Sequence, residues 1–160
     1  MSKYELQRET KERSGVSYEE SLEAINLVPS VYERIGREEG FERLSQIFYD
    51  RVFADRDATW FLNIFSSSTK AEAVENQYRF FVQTFGGPDL YRQKKGKYTR
   101  LVGRHANYSI GHQAADHWVK HMKSAVEGHE QLQNDPEARE SLRKYFLYTA
   151  HYIVVASEFM

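Results

Sequence analysis

Apolar residues recur at helical spacing along most of this chain, and no run alternates with the period of two that a half-buried strand needs. Phe41, Leu44, Phe48 and Val52 share one face of a helix predicted over 41–53, with Ile47 beside them and Glu42, Arg43, Asp50 and Arg51 on the other side. A second stripe of Ala73, Gln77, Phe80 or Phe81, and Thr84 belongs to a helix over 70–85. Thr69 with Glu72 makes a capping-box start for it, and Gly86-Gly87-Pro88 a stop. A third helix, from His112 to Gly128, carries Ala115, Trp118, Met122 and Ala125/Val126. A fourth opens at Pro136 and turns Leu142, Tyr145, Phe146, Thr149, Tyr152/Ile153 and Ala156 inward. Upstream, Ser17 with Glu20 caps a short helix over Ser17–Val28 that ends at Pro29, and Val31–Ile35 adds one turn before Gly36. Residues 1–17 show no apolar period and are expected as a tail. The fold class is all-α, with roughly six helices.

The remaining sequence features narrow the function. The 160 residues suit one domain, and 22 Lys+Arg against 23 Asp+Glu leave a net charge of −1. A chain so close to neutral has no whole-molecule field to hold a polyanion, so nucleic acid is not an expected partner. The absence of cysteine removes disulfides, zinc fingers, iron–sulfur clusters and thiolate-ligated or thioether-attached haem. No apolar run approaches the roughly 20 residues that span a bilayer. The polar N-terminus, with Glu5, Glu9 and Glu12, matches neither a signal nor a transit peptide, so a cytoplasmic protein is expected.

Residues 86–111 show no clear period beyond a turn near Leu90–Gln93, and a loop of that length inside a compact domain is unusual unless it serves a function. It holds Tyr91, Tyr98, Leu101, Val102, Tyr108 and Ile110, too apolar a set for a disordered linker. His105 lies among them, open to reading as a structural histidine or as a ligand. The other histidines look ordinary: His112 at a helix start, His129 in a polar turn, His151 off the main stripe of the last helix. His117 and His121 have metal-ligand spacing but flank the stripe of Trp118 and Met122, and are expected as solvated surface residues. Gln77 reads either as an edge residue or as a polar group aimed into a cavity. One histidine in an apolar loop, cations nearby, and aromatic-rich helices bearing Tyr49, Gln77 and Trp118 together suit a large flat ligand with carboxylates and one iron, namely haem.

At these residues the chain resembles a known family. Phe48-Tyr49, Phe65, Phe80-Phe81, Gly86-Gly87-Pro88, Tyr91, Gly96, Arg104-His105-Ala106 and Trp118 resemble the truncated haemoglobins of group II, plant-type, from about Tyr32 to Ala156. The resemblance implies a globin-like two-over-two helical sandwich around a non-covalent haem b, with residues 31–160 as the globin domain and 1–30 as an N-terminal extension. It implies His105 as the proximal iron ligand, and Tyr49, Gln77 and Trp118 as the distal groups that stabilise a bound gas. Phe65 and Phe80 match haem contacts, Arg104 and Lys95 match propionate partners, and Ala73 stands where larger globins often place a distal histidine. Phe81, Tyr91, Leu101, Tyr108 and Ile110 complete the expected haem-binding set. The helix over 70–85 contains no histidine, which excludes a bis-histidine iron of the usual globin type and leaves a ferrous iron with an open sixth position. The family often reads RHAPFPI where this chain has Asn107 and Ser109, so two fixed φ angles after the ligand are lost.

The implied function is reversible binding of O₂, CO and NO, with slow release caused by distal hydrogen bonds. Nitric oxide dioxygenase or peroxidase-like activity is a further implication, and it requires a separate electron donor because the chain has no flavin or nicotinamide domain. Two alternatives stand beside it: an O₂ sensor or store without turnover, and a haem-free helical interaction module. The Ser17–Val28 helix is compatible with packing on its own domain or on a second copy, so monomer and homodimer both remain open.

Overall fold

The computed structural model describes residues 2–65, 68–95 and 111–158. Nine α-helices occur among them, and no strand. They are α1 (Lys3–Ser14), α2 (Tyr18–Ile25), α3 (Val31–Ile35), α4 (Arg37–Ala54), α5 (Thr59–Leu62), α6 (Lys70–Thr84), α7 (Leu90–Lys95), α8 (His112–Glu127) and α9 (Pro136–Ser157). Short 3₁₀ turns flank α5, and another, Glu130–Leu132, precedes α9. No helix among the described residues is long and apolar enough to cross a membrane.

Two helix pairs make the frame. α4 packs on α6, α8 packs on α9, and α4 also crosses onto α8. Aromatic rings close the α4–α6 pair and join it to the α8–α9 pair. Phe41 stacks on Phe85 at 5.5 Å, Phe81 meets Phe146 at 5.0 Å, and Phe48 meets Trp118 at 5.2 Å. This is the two-over-two sandwich, and its centre is where the aromatic content is spent. Phe41, Phe48, Phe85, Leu44, Met122 and Leu142 are fully buried there.

The helix ends follow local chemistry. Ser17 and Glu20 form a reciprocal capping box. Thr69 accepts from the Glu72 N–H at 3.1 Å, while its hydroxyl donates to the Glu72 carboxylate rather than leaving that carboxylate to the Thr69 backbone. Asp135 caps α9 ahead of Pro136. α6 ends where Gly86 turns left-handed at φ 99°, and the next N–H, of Gly87, donates to the Val82 carbonyl at 2.8 Å.

Three expectations are corrected. Residues 1–17 are not a structureless tail: α1 occupies most of them, capped by Ser2 and by a left-handed Gly15. It carries almost no apolar stripe, which is why periodicity does not reveal it, and Thr10 is its buried residue. The helix count rises for the same reason, because α1, the single turn α5 and α7 are too short or too polar to show a period. His129 and His151 are not ordinary polar positions: both are buried. His129 donates Nε2–H to the Gly40 carbonyl at 2.8 Å, and its Nδ1 accepts from the Gln131 N–H.

His151 is buried because α9 carries two inward faces. Leu142, Tyr145 and Phe146 face the core between the helix pairs, while Tyr148, His151 and Val155 form a second buried row. α1 and α2 both pack against α9. The Tyr18 ring lies 6.0 Å from Tyr148, and Lys144 lies 3.6 Å from the Glu20 carboxylate. The helix begun at Ser17 thus packs on its own chain, and Ala24 joins the same core as Val31 and Leu142. Burial pushes the His151 imidazole below its usual range despite the opposing pull of Asp116.

Gly40 lies in the first turn of α4, against the end of α3, and a methyl group there would overlap the Ile35 carbonyl. Backbone cannot yield as a side-chain tip does. Gly40→Ala is therefore expected to destabilise the fold by roughly 1–3 kcal/mol. Urea unfolding measures this, and an unchanged midpoint would show that the α3–α4 junction relaxes without cost.

Candidate functional site

Three helices bring the sequence-predicted polar side chains to a single cavity. α4 supplies Tyr49, α6 supplies Gln77 and α8 supplies Trp118. The cavity encloses about 330 Å³, which falls in the range of small-molecule sites. Phe65, Ala73, Phe80, Phe81 and Tyr91, all expected as cofactor contacts, line it as well.

The helical register explains the convergence. Ala73, Gln77 and Phe80 lie at i, i+4 and i+7 on α6, so the small residue, the amide and the ring share one face. Tyr49 follows Phe48 on α4, and the two rings meet edge to face at 4.8 Å. Phe48 continues into the core and onto Trp118, so one ring braces both cavity residues. Phe65 packs edge-on against Tyr49 at 5.6 Å, and Tyr91 packs edge-on against Phe80 at 5.2 Å. α7 is docked on α6 by the Arg92 backbone N–H, which donates to Gln83 Oε1 at 2.9 Å.

The polar atoms of this cavity are poorly matched to the protein itself. Among the described residues, Gln77 Oε1 and Asn76 Oδ1 are buried without a hydrogen-bond partner. Such groups cost about 1–3 kcal/mol each unless something satisfies them. Tyr49 is buried with its phenol pushed well above the usual tyrosine range by desolvation, so it stays protonated and keeps its O–H as a donor. An apolar, ring-walled cavity with a few buried polar groups fits a flat, largely apolar cofactor. It supports the second reading of Gln77, as a group aimed into a cavity.

His105, Arg104, Leu101, Tyr108 and Ile110 lie outside the described residues, as does the side chain of Lys95. Asn76 and Ser68, which periodicity does not reveal, also line the cavity. Asn76 had a signal: it stands three residues after Ala73, on the same helical face. Phe146, Thr149 and Ile153 line it too, and they belong to the inward stripe of α9.

His117 and His121 are not solvated surface residues. His121 is 6% exposed, and both Nε2 atoms lie 2.8 Å from Asp55 Oδ2. These hydrogen bonds, first from His117 and then from His121, hold the Asp55 carboxyl down at about 2. Burial lowers the His121 imidazole against the pull of the same carboxylate.

The chain is similar to known proteins over nearly all its length. A family model described as bacterial-like globin matches residues 30–154. Two-on-two hemoglobin-3 of Arabidopsis thaliana is 39% identical over 153 residues, covering 96% of this chain and 83% of that protein. The crystal structure of a hemoglobin from the thermophilic phototrophic bacterium Chloroflexus aurantiacus aligns with a TM-score of 0.67 at 36% identity, covering 79% of this chain and 98% of that one. A truncated oxygen-avid haemoglobin from Bacillus subtilis aligns with a TM-score of 0.66 at 33% identity, covering 78% and 98%.

Gln77→Leu replaces an unsatisfied buried amide with an apolar group of similar size. In the haem-free protein it is expected to raise stability by about 1 kcal/mol. Thermal unfolding reads this directly. A clear loss of stability would mean that the amide holds the fold together rather than facing a ligand.

Proposed function

The chain belongs to the truncated haemoglobins of the bacterial-like globin family, group II and plant-type, which are haem-binding globins, and on that premise we propose that its cavity binds O₂, CO and NO reversibly and releases O₂ slowly. One observation carries the proposal: Tyr49, Gln77 and Trp118, from three different helices, line one largely apolar cavity, in which Gln77 Oε1 is buried without a hydrogen-bond partner among the described residues. We take the haem to be type b and non-covalent, with His105 as iron ligand and Arg104 and Lys95 as partners of its carboxylates. Haem bound there supplies the iron at which a diatomic gas is held.

What this chain adds is the surroundings of the gas. The Tyr49 O–H, the Gln77 amide N–H and the Trp118 indole N–H are donors. A hydrogen bond to a charged acceptor is worth about 1.5–3 kcal/mol, so one well-placed donor slows release by roughly 10- to 150-fold. The walls of Phe65, Phe80 and Phe81 exclude water and strengthen each such bond. The similarity to a protein described as oxygen-avid agrees with this reading.

Slow release suits a reagent better than a carrier. We therefore add nitric oxide dioxygenation, in which O₂ and nitric oxide end as nitrate, as the activity this site best supports. Each turnover consumes one electron, which a separate reductant must deliver. Residues 1–30 serve in this reading as an extension braced on α9 of the globin domain, 31–160.

Two experiments test the proposal. His105→Ala is expected to abolish haem retention, and a variant with normal haem content would refute the ligand assignment. Tyr49→Phe and Trp118→Phe are expected to change the O₂ release rate, in the direction of faster release by about tenfold for a donor that acts alone. Stopped-flow release rates unchanged in both variants would show that neither group governs the bound gas.

A further inference from the structure

We infer that Asp55, His117 and His121 form a site for one divalent transition-metal ion of the zinc class, separate from the cavity described above. Asp55 is the residue that ends α4, and the two histidines stand at i and i+4 on α8. The fold brings together residues 62 and 66 positions apart. Their ligand atoms, one carboxylate oxygen and two imidazole nitrogens, all lie within 4.8 Å of one another.

The donor set decides the class of ion. Two imidazoles and one carboxylate suit zinc, copper or nickel, whereas calcium and magnesium take oxygen donors. Zinc sits about 2.0–2.2 Å from such atoms, so tetrahedral ligands stand about 3.3 Å apart. Each histidine Nε2 is now 2.8 Å from Asp55 Oδ2, and a separation by about half an ångström admits the ion. Each neutral imidazole then carries its proton on Nδ1 rather than Nε2, since the ligating nitrogen must offer its lone pair.

The rings are already held in place for this. The His117 and His121 rings are nearly perpendicular at 83°, with centroids 4.8 Å apart. Phe61 packs edge-on against His117 at 4.7 Å and stacks on His121 at 6.0 Å, and Trp60 covers His117 at 5.4 Å. Side-chain exposures of 16% for Asp55 and 19% for His117 leave one side open to water, the fourth ligand of an open zinc site. His121 Nδ1 has no partner among the described residues, so the support that usually strengthens a ligating imidazole is missing there. Affinity in the micromolar range is expected, not the nanomolar range of a closed structural site.

The test is a zinc titration of the haem-loaded, tag-free protein at pH 7.5 in competition with a chromophoric chelator. The wild type is expected to take up one equivalent. Asp55→Asn and His117→Gln, each with helical content unchanged, are expected to weaken uptake at least about tenfold. His112→Gln, which alters a separate pair in which His112 Nδ1 lies 2.9 Å from His151 Nδ1, is expected to leave it unchanged. No saturable equivalent in the wild type would overturn the site. So would full uptake in both site variants, or loss of uptake in His112→Gln.

Discussion

The crossing of two helix pairs through a layer of aromatic rings is the constraint on which the rest of this structure depends. Rings from α4, α6, α8 and α9 meet at Phe41–Phe85, Phe81–Phe146 and Phe48–Trp118. Aromatic side chains bury 150–250 Å² each and keep their shape, so they set the spacing of the helices they join. Where the rings pack on one another the core is closed. Where small residues such as Ala73, Ala114 and Ala115 face inward, the same spacing leaves a cavity. The site and the core are thus two outcomes of one packing arrangement.

The cavity runs against the usual rule for buried polar groups. Most are hydrogen-bonded within the protein, yet Gln77 and Asn76 each keep a buried oxygen without a partner among the described residues. The cost is compensated elsewhere, by the fully buried rows of α4 and α9 and by α1 and α2 packed along the outer face of α9. Unsatisfied polarity in a rigid apolar frame is what preorganised binding needs: these polar groups do not have to be freed from other partners when a ligand arrives.

Much of this was legible in the sequence, for identifiable reasons. α4, α6, α8 and α9 each carry an apolar stripe and a chemical start or stop, so both their existence and their inward faces could be read. The cavity residues were legible chiefly through the resemblance, and for Gln77 also through its odd place in an apolar row. α1 was not legible, because helix-favouring residues and two caps form it while an apolar stripe is lacking. The burial of His121 was hidden for a different reason. Its partner Asp55 is 66 residues away, and spacing along one helix says nothing about what another element brings to it. The burial of His129 and His151 is hidden in the same way: one is covered at Gly40 of α4, the other lies beneath the N-terminal helices.

The central claim is that this frame holds a reducible haem with an accessible position for a gas. The absorption spectrum of the purified protein, recorded ferric, then reduced, then with CO, tests it most directly. The account predicts a Soret band that sharpens and shifts when CO is added to the reduced protein. A protein that shows no Soret band even after hemin is supplied would contradict it, and would leave a helical sandwich whose unsatisfied cavity serves some other ligand.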